Sequence, residues 1–125
     1  MTNRAVKIPG PDHPITVEPF QGRVTVRDGD RVIVDTRKAL RLQEASYPPV
    51  FYVPRDDADM ASLVRTEHHT WCPYKGEASY FSLPGNSERA INAIWSYESP
   101  HDAVAAIRDH LAFYSDRVRI EHVAD

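Results

Sequence analysis

The chain has 125 residues, of which 42% are apolar and 26% are charged, and its formal net charge is −3. This length suits one domain with one core, and the composition is typical of a folded domain and excludes a disordered chain. Charges of both signs are mixed along the chain without a lysine or arginine block, which argues against a nucleic-acid partner.

The single cysteine, Cys72, rules out an intrachain disulfide and a four-thiolate zinc site. The N-terminal residues lack the apolar stretch of a signal peptide, and no run is long enough to cross a bilayer. We therefore expect a cytoplasmic protein that has no membrane partner and needs no cofactor.

Residues 1–22 are predicted to form an extended arm, because Ile8–Pro14 contains three prolines and a glycine. A β-rich core is expected over residues 23–125, in one domain with the arm. Its first element is a predicted hairpin, since valines alternate with polar residues on both sides of the Asp28–Asp30 turn.

The middle of the chain continues this pattern. Thr36–Glu44 is interpreted as a strand from its alternating leucines, although its composition also permits a short helix. Tyr47–Pro54 is β-branched and aromatic but bounded by prolines, which favours an edge strand. Acidic residues open Asp56–Val64, as expected for the capped start of a short helix. Ala78–Leu83 and Ala90–Tyr97 flank a Pro-Gly-Asn turn and predict a second hairpin.

The C-terminal quarter predicts the longest helix. Ser99–Asp102 has the spacing of a capping box with proline in the first turn, so a helix is expected to begin there. Apolar residues then recur at three- or four-residue steps and predict three to four turns packed on the sheet: Val104, Ile107, Leu111 and Tyr114. Alternation over Val118–His122 predicts a final strand.

The segment Thr70–Gly76 concentrates reactive and turn-forming residues. Lys75 follows Cys72 by three positions, and a cationic neighbour can favour a nucleophilic thiolate. Cys72 can equally be a small buried apolar residue, and Lys75 a solvated turn lysine. The pattern of a P-loop is absent around Lys75 and Gly76, so no phosphate loop is predicted.

No metal site is predicted. His68, His69 and Cys72 are possible ligands, but adjacent histidines in an extended chain point to opposite faces. The acidic residues Asp56 and Asp57 are assigned to the start of the short helix, and no nucleophile-elbow, zincin or Rossmann pattern occurs.

Our first hypothesis is a mainly-β domain that binds an unidentified small molecule in one aromatic pocket, with a nucleotide-like compound as one ligand class. Cys72 and Lys75 are predicted to line this pocket, and they are the candidate catalytic residues if the domain is an enzyme. Six others are predicted to bind the ligand: Arg37, Glu44, Tyr52, Thr70, Tyr80 and Trp95. The alternatives are an enzyme with Cys72 as nucleophile and Lys75 as its activating cation, and an interaction domain without ligand. A monomer and a homodimer both remain open.

Ordered motifs over about residues 8–118 resemble one family, the small bacterial domain of unknown function four-two-seven. The motifs that carry this resemblance are Pro9–Ile15, Asp35–Leu40, Tyr47–Tyr52, Thr70–Tyr80, Ile94–Glu98 and His110–Tyr114.

The resemblance implies a fold but no established activity. The family is sometimes labelled nucleotidyltransferase, yet that chemistry usually needs a metal held by paired carboxylates. Only Asp57 falls on the family pattern, whereas Asp59 lies where the family varies. The family looks related to β-tent domains, in which two antiparallel sheets meet at an angle, often with zinc on Cys-x-x-Cys pairs. The resemblance therefore implies a zinc-free, β-tent-like arrangement with one C-terminal and one short helix.

Overall fold

The computed structural model describes residues 4–85 and 87–125. Within these residues, ten strands form three antiparallel sheets. The strands are β1 (Ile15–Pro19), β2 (Gly22–Asp28), β3 (Arg31–Thr36), β4 (Leu40–Glu44), β5 (Val50–Tyr52), β6 (Val64–Cys72), β7 (Gly76–Ser82), β8 (Ile94–Tyr97), β9 (Ala112–Phe113) and β10 (Arg119–Ala124).

The first sheet has the strand order β1-β4-β5. It confirms a strand within the predicted segment Thr36–Glu44, although the strand covers only Leu40–Glu44, and it confirms the edge position of the proline-bounded strand. Its strand β1 lies inside the segment predicted as an extended arm, where Ile15 pairs with Glu44. The arm therefore contributes one edge of a sheet.

The second and third sheets contain the two predicted hairpins. β2 and β3 pair across the Asp-Gly turn, and β10 joins them in the order β10-β2-β3, which confirms the final strand. The third sheet has the order β6-β7-β8-β9, and its β7 and β8 pair so that Tyr80 lies opposite Trp95. Mainly-β architecture is thus confirmed, with three sheets where two were expected.

The predicted C-terminal helix of three to four turns is wrong. The segment forms a six-residue 3₁₀ helix, Asp102–Ile107, which is interrupted at Val104 with φ −125° and ψ 28°. Asp109 then takes a positive φ of 61°, and Leu111 exchanges both backbone hydrogen bonds with Val53. Since Val53 provides these hydrogen bonds, Leu111 is held extended beside the first sheet.

The acidic segment after β5 also differs from its prediction. It forms two short 3₁₀ turns, Arg55–Asp57 and Met60–Ser62, and neither has a side-chain cap. Asp57 instead accepts a hydrogen bond from the Thr36 hydroxyl at 2.7 Å. Across residues 4–85 and 87–125, no helix is long and apolar enough to cross a membrane.

Two buried clusters hold the sheets together. The larger cluster includes Val24 and Val26 of the second sheet and Phe81 and Ile94 of the third. The smaller cluster lies between the first and third sheets, and its buried members include these residues: Leu42, Tyr52, Ala78, Tyr80, Tyr97, Val104 and Ile107. The spaced apolar residues of the mispredicted helix are therefore buried, although the backbone that carries them is not helical.

Candidate functional site

A cavity of about 240 Å³ opens between the first and third sheets. Six of its lining residues are aromatic: Tyr47, Tyr52, Tyr80, Trp95, Tyr97 and Tyr114. The others are Leu42, Glu44, Pro48, Val50 and Lys75. Five residues of the predicted pocket thus line this cavity: Glu44, Tyr52, Lys75, Tyr80 and Trp95.

The tight turn between β6 and β7 places Lys75 in the cavity wall. Cys72 pairs with Gly76 across this turn, and the Lys75 amide donates to the Cys72 carbonyl at 3.2 Å. Gly76 has a φ of +110°, a conformation that side-chain-bearing residues rarely adopt. The His101 amide donates to the Lys75 carbonyl at 2.9 Å, so the turn is also held from outside the hairpin.

The Lys75 ammonium is paired with a carboxylate at the end of β4. Lys75 Nζ donates to Glu44 Oε1 at 2.6 Å, and Glu44 Oε2 lies 2.8 Å from His13 Nε2. Burial tends to raise the pKa of Glu44, but hydrogen bonds from Lys75 and His13 outweigh it and hold the pKa below its usual value. The His13 ring also stacks on Tyr74, with centroids 4.1 Å apart. A charged pair is therefore held rigidly at the polar end of the cavity.

Phenol and indole groups of the aromatic wall are joined by hydrogen bonds. Trp95 Nε1 donates to the Tyr52 hydroxyl at 3.2 Å, and the Tyr80 hydroxyl lies 2.9 Å from Thr70 Oγ1 and 3.2 Å from the Tyr114 hydroxyl. Burial raises the pKa values of Tyr52 and Tyr97 well above the ordinary phenol value. These phenols therefore stay protonated and can donate hydrogen bonds at neutral pH.

Burial, together with the hydrogen bond to Tyr80, raises the pKa of Tyr114 to about 12. Tyr114 thus also stays protonated at neutral pH, although its side chain is more exposed than that of Tyr52.

The three remaining residues of the predicted site lie outside the cavity lining. Cys72 is half-buried against the smaller core cluster, with its Sγ 3.7 Å from Lys75 Nζ. Thr70 reaches the site only through its hydrogen bond to Tyr80. Arg37 lies elsewhere, because it follows buried Thr36 on the opposite face of the chain and pairs with Asp125 at 3.1 Å.

The sequence did not identify His13 as the second partner of the Glu44 carboxylate, and it did not assign most of the cavity wall to the pocket. His13 was not predicted to approach Glu44, and Tyr47, Tyr97 and Tyr114 were assigned to predicted strands or to the predicted helix but not to the pocket. A signal for them existed, since all four fall within motifs that carry the family resemblance. Those motifs converge in space although they are far apart in the chain.

A second cavity of about 490 Å³ adjoins the first. Both cavities are lined by Tyr47, Pro48, Val50, Trp95 and Tyr114, so these residues form a common wall. The remaining lining of the second cavity is mostly apolar and comes from β2, β5, β9 and β10. All three sheets therefore contribute to it.

The part of the chain that the structure describes contains no group of three or more His, Cys, Asp or Glu residues placed to hold a metal ion. The two histidines that directly precede Thr70 contact other side chains. His68 packs against the Tyr80 ring at 4.5 Å between centroids, and His69 lies 3.7 Å from Glu77.

Comparison with known families gives one match, which covers nearly the whole chain. Residues 16–124 match the family described as Domain of unknown function (DUF427), which also carries a nucleotidyltransferase-type label. No curated protein matches the chain. The match confirms the resemblance drawn from the sequence motifs, and its description assigns no activity.

Proposed function

The chain belongs to the DUF427 family, and we propose that it binds a small molecule in the cavity between its first and third sheets. One observation carries the proposal. The charged side chain of Lys75 is only 11% exposed, yet it lines an open aromatic cavity. Lysine is rarely buried unless paired, and a concave aromatic site with few convergent polar groups is the usual form of a ligand pocket.

The polar groups favour a ligand with hydrogen-bond acceptors. An ammonium group has three donors, and Lys75, which lines the cavity, makes contacts with Glu44 and with Cys72, so one donor is left for a ligand. The protonated phenols of Tyr52 and Tyr97 add neutral donors. A planar ring could stack on the aromatic wall while its acceptors meet these donors, so a nucleotide-like ligand is one chemistry that suits the site.

The test is to identify what the protein retains from cells. Wild type and Lys75→Met would be purified from a bacterial lysate without denaturation, and their bound small molecules extracted and compared by mass spectrometry. We expect a compound enriched with wild type and lost from the variant, provided circular dichroism shows that both are folded. Identical extracts from two folded proteins would refute the proposal.

A direct binding assay follows from the two tryptophans. Trp95 lines the cavity, whereas Trp71 donates its indole N–H to the Ala5 carbonyl at the surface. In a Trp71→Phe background, emission therefore reports on the cavity alone. A nucleotide-like ligand should change this emission, and the change should be absent when Lys75→Met is added. If nucleotides leave the emission unaltered, that ligand class is excluded.

A second candidate is an enzyme that uses Cys72 as nucleophile. It is favoured by the 3.7 Å separation of Cys72 Sγ from the Lys75 ammonium, which is a suitable position for stabilising a thiolate. Alkylation of the folded protein by iodoacetamide tests it. Fast labelling at neutral pH that slows in Lys75→Met would support the enzyme, and a thiol that reacts only after unfolding would reject it.

We also propose that the protein is cytoplasmic. The lone cysteine cannot form an intrachain disulfide, which suits a reducing compartment such as the cytoplasm.

A further inference from the structure

We propose that the two adjoining cavities form one bipartite site for an amphipathic small molecule, whose anionic head meets Lys75 and whose apolar tail enters the second cavity. This inference rests on the proposed function and specifies its ligand. The adjacency of the cavities, the contrast in their linings and the charge at one end each support it.

The two cavities are continuous in their lining. Trp95 and Tyr114 border both of them, and their rings lie 4.6 Å apart between centroids. On the opposite side, Val50 of β5 also borders both. The two spaces therefore meet at the Trp95 and Tyr114 rings, and the bipartite site requires that a ligand pass between them there.

The second cavity has the chemistry of a tail site. Its volume of about 490 Å³ is twice the 240 Å³ of the first. Its lining is mostly apolar and includes Val24, Val26, Phe51, Phe113 and Ile120, whose side chains cannot hydrogen-bond. The polar residues that line this cavity and not the first are Ser115 and His122. An apolar tail that enters this cavity is removed from water, which should raise the affinity roughly four-fold for each buried methylene.

The first cavity supplies the head site. Lys75 donates to Glu44 and approaches Cys72, which leaves one of its three donors for a ligand. Tyr97 also lines this cavity, and its phenol hydroxyl is a further group that can donate to a ligand. A carboxylate or phosphate head would accept from both. Glu44 already neutralises much of the Lys75 charge, so the head alone should bind weakly and the tail should supply most of the affinity.

Straight-chain carboxylates from hexanoate to dodecanoate, kept below their micelle concentrations, test the inference by isothermal titration calorimetry. We expect affinity to rise about four-fold per methylene until the tail fills the cavity. Each carboxylate should bind about ten-fold more tightly than the alcohol of the same length, because a charged hydrogen bond is lost in the alcohol.

Two head-site variants and one tail-site variant make the assignment specific. Lys75→Met should remove the preference for carboxylate over alcohol, and Glu44→Gln should strengthen it by roughly ten-fold, because a competing negative charge is gone. Ser115 is exposed and lines only the second cavity. Ser115→Trp should abolish the chain-length dependence, and Ser115→Ala, its matched control, should preserve it.

The outcomes separate this inference from the proposed function. Binding that depends on Lys75 but not on chain length would overturn the bipartite site and leave a small-molecule pocket in the first cavity. If affinity rises with chain length but is unchanged in Lys75→Met and Glu44→Gln, the ligand binds in the second cavity alone. That result would also overturn the bipartite site. The absence of binding by any chain, or a dimer in sedimentation that closes the second cavity, would overturn it without affecting the lysate comparison.

Discussion

Lys75 Nζ lies 2.6 Å from Glu44 Oε1, and this contact joins the β6–β7 turn of the third sheet to the end of β4 in the first. Both side chains are mostly buried, with exposures of 11% and 15%. A charge pair that is largely removed from water holds two sheets at a fixed separation, but each partner becomes costly when the other is removed.

Truncation of this pair should therefore be strongly non-additive. Lys75→Met leaves the Glu44 carboxylate with His13 alone and should lower the free energy of unfolding by about 2–4 kcal/mol. Glu44→Gln retains an acceptor and should cost about 1–2 kcal/mol. The double variant should be less destabilised than the sum of the two, as measured by urea denaturation. Additive losses would show that the pair does not act as a unit.

Glu98 should make stability sensitive to acid. Hydrogen bonds from Arg65, the largest influence, and from Arg55 overcome the opposing effect of burial and lower the pKa of Glu98 to about 2 from 4.5. Because the folded pKa is depressed, this stabilisation is complete above about pH 4.5 and is lost as the pH falls toward 2.

Glu98→Gln should remove that stabilisation. After allowance for solvent screening of a partly exposed group, we expect a loss of about 1–2 kcal/mol at pH 7. The variant should also lose less stability than wild type between pH 4.5 and 2. If the free energy of unfolding falls equally with pH in the two proteins over that range, the role assigned to Glu98 is contradicted.

Two glycines with positive φ give a matched test of the β6–β7 turn. An ideal Cβ at Gly76 would lie 3.3 Å from His101 Cδ2 at a φ of +110°, whereas Gly29 has a φ of +59° and open space around it. Gly76→Ala should cost about 2–3 kcal/mol, and Gly29→Ala about 1 kcal/mol. Thermal unfolding of both variants checks the order, and equal losses would argue against crowding by His101.

The hydroxyl group of Tyr52 should contribute to the stability of the folded protein. Tyr52→Phe keeps the ring but leaves Trp95 Nε1 without its acceptor, at an expected cost of about 1 kcal/mol. Tyr47→Phe is the control, because Tyr47 is 60% exposed and should change stability by less than about 0.5 kcal/mol. Chemical denaturation of both variants measures the two costs. An equally small loss of stability in both would mean that the Trp95 indole N–H finds another hydrogen-bond acceptor.

Local patterns were sufficient for elements whose backbone partners are near in sequence. The β2–β3 hairpin follows from alternating valines and an Asp-Gly turn, because both signals lie within a few residues of the pairing they predict. The helix after Ser99 failed for the opposite reason. Val104 and Ile107 are buried as the spacing requires, but the neighbouring Leu111 has its backbone partner in Val53, 58 positions earlier. No local pattern contains that contact.

The candidate site was predictable to a similar extent. Lys75 and Tyr80 lie on one hairpin, and their proximity to each other could be inferred from the local pattern. Arg37 could not be placed, because the register of β3 decides that Thr36 is buried and Arg37 faces outward. Likewise, the approach of His13 to Glu44 depends on the pairing of β1 with β4, which joins segments about 30 residues apart.

The reciprocal bridge between Val53 and Leu111 has a consequence for how a ligand enters. Its hydrogen bonds of 2.9 and 2.8 Å join two residues that are at most 1% exposed, so their amide protons should exchange with solvent only through global opening. We therefore expect the first and third sheets to stay together at this bridge in the folded protein. The segment Tyr47–Pro49 is exposed, and its Tyr47 and Pro48 line both cavities, so we expect substitutions there to change the rates at which a ligand enters and leaves.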